Sequence, residues 1–343
     1  MNDAKFILSK SKVLEQYNTL KNLDIKISYS YKTNHEVGNL LQELTDANIS
    51  IHAEEEIDMI KDTSRISFFT QAESEKQLNV LIEKGITNFV VDNEVDIQRL
   101  LNIIKKTNTK ISLSIRMKFQ EHRIGSGQYF VYGLPSRKVN ELIAELKDNK
   151  NLKELGIHTH RKSQNVSEWE IKQELEESLT PLTLKTISFV NLGGGLPTKY
   201  RSYTSKVLPY IFQKITEAKT FLKKHSIQTI IEPGRFIAAP SIKLETEIIQ
   251  VNQNTIVINT TIYNCALDTM IGHHKMLVEN ETENKGDYYL IKGNSPTRDD
   301  IFRYKVKLNT PKVGDKLVFL NAGAYNYTTD FFGYKKLKTV LVD

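Results

Sequence analysis

Residues 187–197 read ISFVNLGGGLP, a short β-branched and aromatic run that passes straight into three glycines. A run of that length suits a buried strand, and the glycines mark where it ends. Working outward, the same unit recurs on both sides. Upstream, IKISYSYK at 25–32 leads into EVGNLLQELTDA, and ISIHA at 49–53 into EEEIDMIKD. RISFF at 65–69 precedes SEKQLNVLIEKG, and NFVVD at 88–92 precedes EVDIQRLLNIIKKT. KISLSIRM at 110–117 runs through a loop into SRKVNELIAELKDN, and ELGIHTH at 154–160 into SEWEIKQELEESLTPL. Downstream, LPYIFQKITEAKTFLKKH separates the glycine run from QTIIEPG at 228–234. Eight strand-like runs alternating with helical periodicity between residues 23 and 240 point to an α/β fold, a closed parallel (β/α)8 barrel rather than an open doubly wound sheet.

After Pro240 the texture changes. LETEIIQV, TIVINTTIYN, DYYLIKGN and DKLVFLNAG are strand-like and separated by turn residues, with no long amphipathic helix among them. Residues 241–343 therefore read as a mostly β domain, and residues 1–22 as an N-terminal segment whose Phe6, Ile7 and Leu8 add a strand to it. Composition is that of a globular protein: of 343 residues, 39% are hydrophobic and 26% charged. No apolar run approaches the roughly 18–20 residues that span a bilayer. The first residues, MNDAKFILSK, lack a signal-peptide core, and Cys265 stands alone, so the reading is cytoplasmic, without membrane insertion. The net charge of +6 arises from 47 basic and 41 acidic residues interspersed along the chain, which argues against a nucleic-acid partner.

In barrel enzymes the chemistry gathers at the carboxyl ends of the strands, so the residues after each run carry the information. Lys32 closes the first run. Desolvated there it can form a Schiff base, although a strand-end lysine is also an ordinary surface residue. Gly193, Gly194 and Gly195 follow the seventh run, where barrels often cradle phosphate on backbone N–H groups, and where a plain tight turn would look the same. Glu232, Pro233, Gly234 and Arg235 end the eighth. Glu232 and Arg235 can form a structural ion pair, or else the carboxylate meets a pyridinium nitrogen while the arginine meets a phosphate. His158 and His160 share a strand face, but no HExxH motif or further histidine at ligand spacing supports zinc, so the expectation is no metal and a stacking role for His160.

Together and in this order the clusters resemble the fold type III pyridoxal 5'-phosphate (PLP) decarboxylases, the ornithine/diaminopimelate/arginine decarboxylase family. YSYKTN is similar to the family's Y-[AS]-x-K-[AT]-N, which makes Lys32 the lysine that carries PLP. His160 and Ser163 resemble its H-x-G-S, histidine stacking on the cofactor ring and serine meeting the phosphate. The glycines at 193–195 look like its phosphate loop. EPGR matches throughout, with Glu232 on the pyridine nitrogen and Gly234 and Arg235 at the phosphate. GAY resembles the segment whose tyrosine, here Tyr325, reaches the phosphate. Phe331–Tyr334 is close to the F-N-G-F that follows. Arg116 and Glu56 fall where the family has an arginine and a glutamate near the cofactor. The resemblance covers nearly the whole chain and implies an alanine racemase-like architecture and a homodimer whose active sites are shared across the interface. It also implies decarboxylation of a small amino acid, basic or diamino, such as diaminopimelate, ornithine, lysine or a carboxylated polyamine.

Two departures stand out. Lys162 replaces the family's glycine before the phosphate-binding serine. The family's G-x-x-C-[DE]-x-x-D, supplied by the neighbouring subunit, reads GNSPTRDD, so Pro296 stands where the proton-handling cysteine belongs, and a prolyl side chain offers no proton. Thr297 replaces an acidic residue that holds a distal amine. Arg298 suits a distal carboxylate, or equally a solvent-facing pair with Asp299 or Asp300. Asp300 keeps the spacing of the family's second aspartate and is a candidate amine contact. Two other readings remain: a racemase-like PLP enzyme, disfavoured because alanine racemases set an arginine where Glu232 stands, and a non-catalytic regulator that keeps the decarboxylase fold.

Overall fold

The computed structural model describes residues 3–119 and 132–343. Eight parallel strands close on themselves: β2 (Lys26–Ser30), β3 (Asn48–Ile51), β4 (Ile66–Phe69), β5 (Asn88–Val91), β6 (Ile111–Arg116), β7 (Leu152–His158), β8 (Phe189–Asn191) and β9 (Gln228–Ile231), the last pairing back onto β2. The expected barrel is present, with every run in its place. Alternation along β2 separates two environments. Ile27 and Tyr29 are buried on one face, while Ser28 on the other bonds Ser50 across to β3 at 2.7 Å.

Before the barrel come β1 (Lys5–Ser9) and α1 (Lys10–Lys21). The helices between its strands are α2 (His35–Leu44), α3 (Glu75–Glu83), α4 (Glu94–Thr107), α5 (Ser136–Leu146), α6 (Ile171–Ser178), α7 (Pro181–Thr186) and α8 (Leu208–Lys224). Their starts follow capping chemistry: the Asn34 side chain accepts from Val37 N–H, and Ser74 with Gln77 forms a reciprocal capping box. Two helical expectations are altered. The stretch after ISIHA forms only a 3-10 turn, Glu54–Met59, because Glu56 reaches back to the backbone N–H and ring of His52. The stretch from Ser167 splits into α6 and α7, since Pro181 has no N–H with which to continue a helix and sits instead at the start of a new one.

A seven-residue helix, α9 (Arg235–Ser241), carries the chain into β10 (Ile242–Asn252). Then follow β11 (Thr255–Ile258), two short helices α10 (Ile262–Cys265) and α11 (Leu267–Ile271), β12 (Leu277–Val278), β13 (Asp287–Lys292), β14 (Ile301–Leu308), β15 (Lys316–Leu320) and β16 (Lys338–Val342). The sheet runs β12-β15-β10-β11-β13-β14, and β1 pairs antiparallel with β10 and parallel with β16. Strand β14 is absent from the sequence reading. Its charges obscure the pattern, yet Arg303 is buried there, with Nη2 donating to both Glu281 oxygens at 2.8 and 3.0 Å and Nη1 to the Met276 carbonyl at 2.8 Å. The run TIVINTTIYN is a strand only as far as Ile258; Thr261 and Asn264 then cap α10. Among the described residues no helix is long and apolar enough to cross a membrane.

Candidate active site

A cavity of about 390 Å³ opens at the carboxyl ends of the barrel strands, and Lys32, Arg116, His160, Lys162 and Glu232 line it. A larger hollow of about 640 Å³ lies at the opposite end of the barrel. Two of its lysines are already paired with its aspartates, Lys21 with Asp46 and Lys219 with Asp24. Only the first cavity collects the strand-end motifs.

Lys32 sits in the 3-10 turn Tyr31–Thr33 that ends β2, and its carbonyl accepts from the Tyr327 hydroxyl at 2.7 Å. The side chain is exposed in the single chain, which corrects the expectation of a desolvated lysine. Glu232 is 5% exposed and receives three donors. Ser50 Oγ and Asn191 Nδ2 reach its Oε1 at 2.8 and 2.9 Å, and His158 Nε2 meets Oε2 at 2.9 Å. Burial alone would raise its pKa; the His158 ring and these hydrogen bonds outweigh it and hold the carboxyl down at about 2.

His160 lies parallel to His158, with ring centroids 6.3 Å apart and planes at 13°, and its Nδ1 accepts from the Gly194 N–H at 3.3 Å. Burial and the nearby Arg116 depress its pKa to about 3, so the ring stays neutral. Burial likewise lowers Arg116, against the pull of Glu232 and Asp92. His158, His160 and Glu232 bring ligand atoms within 4.8 Å of one another. The fold thus supplies from β9 the third group that the histidine spacing lacks, but the direct His158–Glu232 bond engages both partners' atoms.

The glycine run threads between neighbouring backbones. Gly193 and Gly195 have φ of +69° and +104°, and a Cβ on Gly193 would strike the Thr159 carbonyl. On Gly194 it would come within 2.8 Å of the Glu232 carbonyl oxygen, and on Gly234 it would strike the Thr33 hydroxyl. Arg235 does not form the ion pair with Glu232. It pairs bidentately with Asp268 on α11 at 2.6 and 2.9 Å, donates to Tyr200 Oη at 2.9 Å and to Ser163 Oγ at 3.0 Å. Its guanidinium also lies 5.2 Å above the centre of the Tyr325 ring. Burial opposes the Arg235 charge, but Asp268 and Tyr200 outweigh it and raise its pKa. Ser163, accepting from Arg235, keeps its own O–H available as a donor. Glu56 stands one layer behind the cavity, bonded to His35 at 3.2 Å and His52 at 3.0 Å.

The divergent segment does not reach this cavity in its own chain. Thr297 donates to Tyr263 Oη at 2.9 Å. Arg298 is 93% exposed and pairs loosely with Asp299 at 3.4 Å, the solvent-facing alternative. Asp300 is buried and accepts from the N–H groups of Ile262 and Ser295 at 2.8 and 3.0 Å. Cys265 is buried with its thiol on the Thr261 carbonyl at 3.2 Å, and burial pushes its pKa up to about 12. Sequence reasoning missed Ser50, Asn191 and Asp268. The inward alternation of ISIHA and the asparagine before the glycines were available signals for the first two; Asp268 carried none.

Residues 10–239 match the family model described as pyridoxal-dependent decarboxylase, pyridoxal binding domain. The chain belongs to that family. Its cofactor is pyridoxal 5'-phosphate. A diaminopimelate decarboxylase of Aquifex aeolicus is 24% identical over 77% of this chain, and the match spans 66% of that relative's length. An antizyme inhibitor 2 of Xenopus laevis is 20% identical over 97% of this chain and 80% of its own. In fold, the chain is similar to a lysine/ornithine decarboxylase of Vibrio vulnificus solved with putrescine, with a TM-score of 0.79 and 18% identity over 99% and 94% of the two chains.

The residues present fit such a cofactor. Lys32 and the ionised Glu232 share one cavity with the neutral His160 ring, and the glycine run leaves a backbone cradle that any side chain would fill. The phosphate side is less direct than the motif implies, because the Arg235 charge is already matched by Asp268.

Proposed function

We propose that this chain releases CO2 from an α-amino acid of the basic or diamino type (diaminopimelate, ornithine, lysine or a carboxylated polyamine), with Lys32 carrying the aldehyde of the cofactor. Bound PLP supplies a ring that accepts the electron pair left when CO2 departs. The protein's part is electrostatic and steric. Glu232, kept ionised by His158, Ser50 and Asn191, favours a protonated pyridine nitrogen. His160 offers a neutral ring for stacking, and Arg116 balances negative charge from a half-buried position. Gly193, Gly194, Gly195, Gly234, Ser163, Arg235 and Tyr325 form the phosphate end, with Arg235 acting through Ser163 and Tyr325. The observation that carries this reading is one cavity holding both Lys32 and a buried carboxylate with its charge retained. The names of the relatives support the substrate class.

In this reading the working unit is a homodimer, and the exposed segment Thr297–Asp299 faces the partner's cavity. A second reading, a non-catalytic regulator, draws on Pro296 and on the likeness to an antizyme inhibitor. The test is reconstitution with PLP. The wild-type protein is expected to turn yellow and to release CO2 from at least one amino acid in a basic and dicarboxylic panel. Lys32→Ala is expected to abolish both the visible absorption and the gas. A yellow protein that releases no CO2 from any substrate removes the decarboxylase reading, and a colourless wild type favours the regulator.

A further inference from the structure

Lys162 is the residue at which this chain departs from the family pattern inside the cavity itself. Where the resemblance calls for glycine, a position with no side chain, this sequence places a four-carbon cation that lines the same cavity as Lys32, His160 and Glu232. Its neighbours point elsewhere. Arg161 is buried against Phe119 and Trp169, its guanidinium 4.8 and 5.2 Å from their ring centres, and Ser163 meets Arg235. Among the described residues Lys162 has neither an ion pair nor a side-chain hydrogen bond.

The other charges of the cavity have assignments. Lys32 is assigned to the cofactor, and the half-buried Arg116 has its guanidinium 5.2 Å from the Tyr132 ring centre. Glu232 is the one carboxylate among the described lining residues, and three donors already hold it. Asp300, the other candidate for a distal ammonium, spends both oxygens on backbone N–H groups. The described lining therefore has a spare cation and no spare anion. The Lys162 backbone runs beside the phosphate end, where a Cβ on Gly195 would come within 3.0 Å of its carbonyl, while its exposed side chain lines the cavity.

Resting on the decarboxylase reading, we propose that Lys162 is a specificity-determining residue that binds a carboxylate at the far end of the substrate. The enzyme then takes an amino acid with an anionic distal group and discriminates against one that ends in an amine alone. A lone ammonium facing a carboxylate forms a charge-assisted hydrogen bond, and a substrate lacking that carboxylate leaves the cation unmatched when the site closes.

The PLP-loaded enzyme is assayed for CO2 release from meso-diaminopimelate and 2-aminoadipate, and separately from lysine and ornithine. In parallel, calorimetry measures PLP binding to the cofactor-free protein. Wild type is expected to favour the first pair. Lys162→Met is expected to raise KM for that pair about ten- to a hundredfold, the loss of one charge-assisted hydrogen bond, with kcat changed only a few-fold and PLP affinity unchanged. Lys162→Arg recovers part of the loss. Equal or better wild-type turnover of lysine and ornithine overturns the proposal. So does a Lys162→Met protein whose substrate preference is intact but whose PLP affinity falls, which makes the lysine a phosphate ligand. Release of CO2 from none of the four overturns this proposal, and the decarboxylase reading falls with it only if a carboxylated polyamine also releases none.

Discussion

Glu232 keeps its charge in a buried site because Ser50, Asn191 and His158 converge on it. Burial depresses both His158 and His160, the latter to about 3. A histidine held neutral by the fold contributes stability that is present above its unfolded value, about 6.5. That contribution is lost as pH falls through the window toward 3, because the unfolded chain takes up a proton the folded chain refuses. Glu232 acts in the same direction at lower pH, between its ordinary value of 4.5 and about 2. Urea midpoints of the cofactor-free protein are therefore expected to fall steadily as pH drops from 6.5 toward 4. His160→Gln should make that fall shallower while leaving the midpoint above pH 7 less affected. An identical pH profile in the variant would remove His160 from the account.

At the scale of elements, the turn from β9 into α9 ties the barrel to the β domain, and Arg235 is the tie. Its bidentate bond to Asp268 joins the first residue of α9 to α11, with both side chains about 5% exposed. Removing one member of a buried pair leaves the other charge uncompensated, which costs roughly 3–5 kcal/mol. Asp268→Ala is expected to lose stability of that order in urea unfolding, with Asp268→Asn retaining part of it; a change near zero in the alanine variant would mean that water replaces the carboxylate. This pair also marks where the sequence stops being legible. The eight barrel strands were readable because each is a short apolar run with helical periodicity beside it, and Lys32, the glycines and EPGR because strand ends are where barrels keep their chemistry. Asp268 lies 33 residues from Arg235, past the end of the run that reads as strand and in the second of two short helices. The local pattern gives no hint of which carboxylate that arginine will meet. The same blindness explains Asp300, whose spacing fits an amine contact while its fold position commits it to Ile262 and Ser295.

For the whole molecule, the exposed surface beside the divergent segment is apolar where a free-standing domain has no need of it. Phe331 and Phe332 are 53% and 61% exposed, stacked 4.2 Å apart, with Tyr263 5.1 Å from Phe332. The Tyr263 hydroxyl in turn accepts from Thr297, so the aromatic group and the GNSPTRDD segment form one continuous surface. Clustered aromatics of this kind act as anchors in protein interfaces. A second copy of this chain is the occupant that the proposed function requires, since the cavity leaves Lys32 exposed and receives no contact from its own residues 297–300. In a two-fold interface each copy contributes the same patch, so a single introduced charge is repeated and its cost doubled. Phe331→Glu is therefore expected to shift the protein from dimer to monomer in sedimentation at micromolar concentration. If the partner's segment completes the cavity, the monomer should still bind PLP at Lys32 and yet lose CO2 release. Wild-type protein that sediments as a monomer, or a monomeric variant that keeps its turnover, would place the whole reaction within one chain and leave the aromatic patch without a role in it.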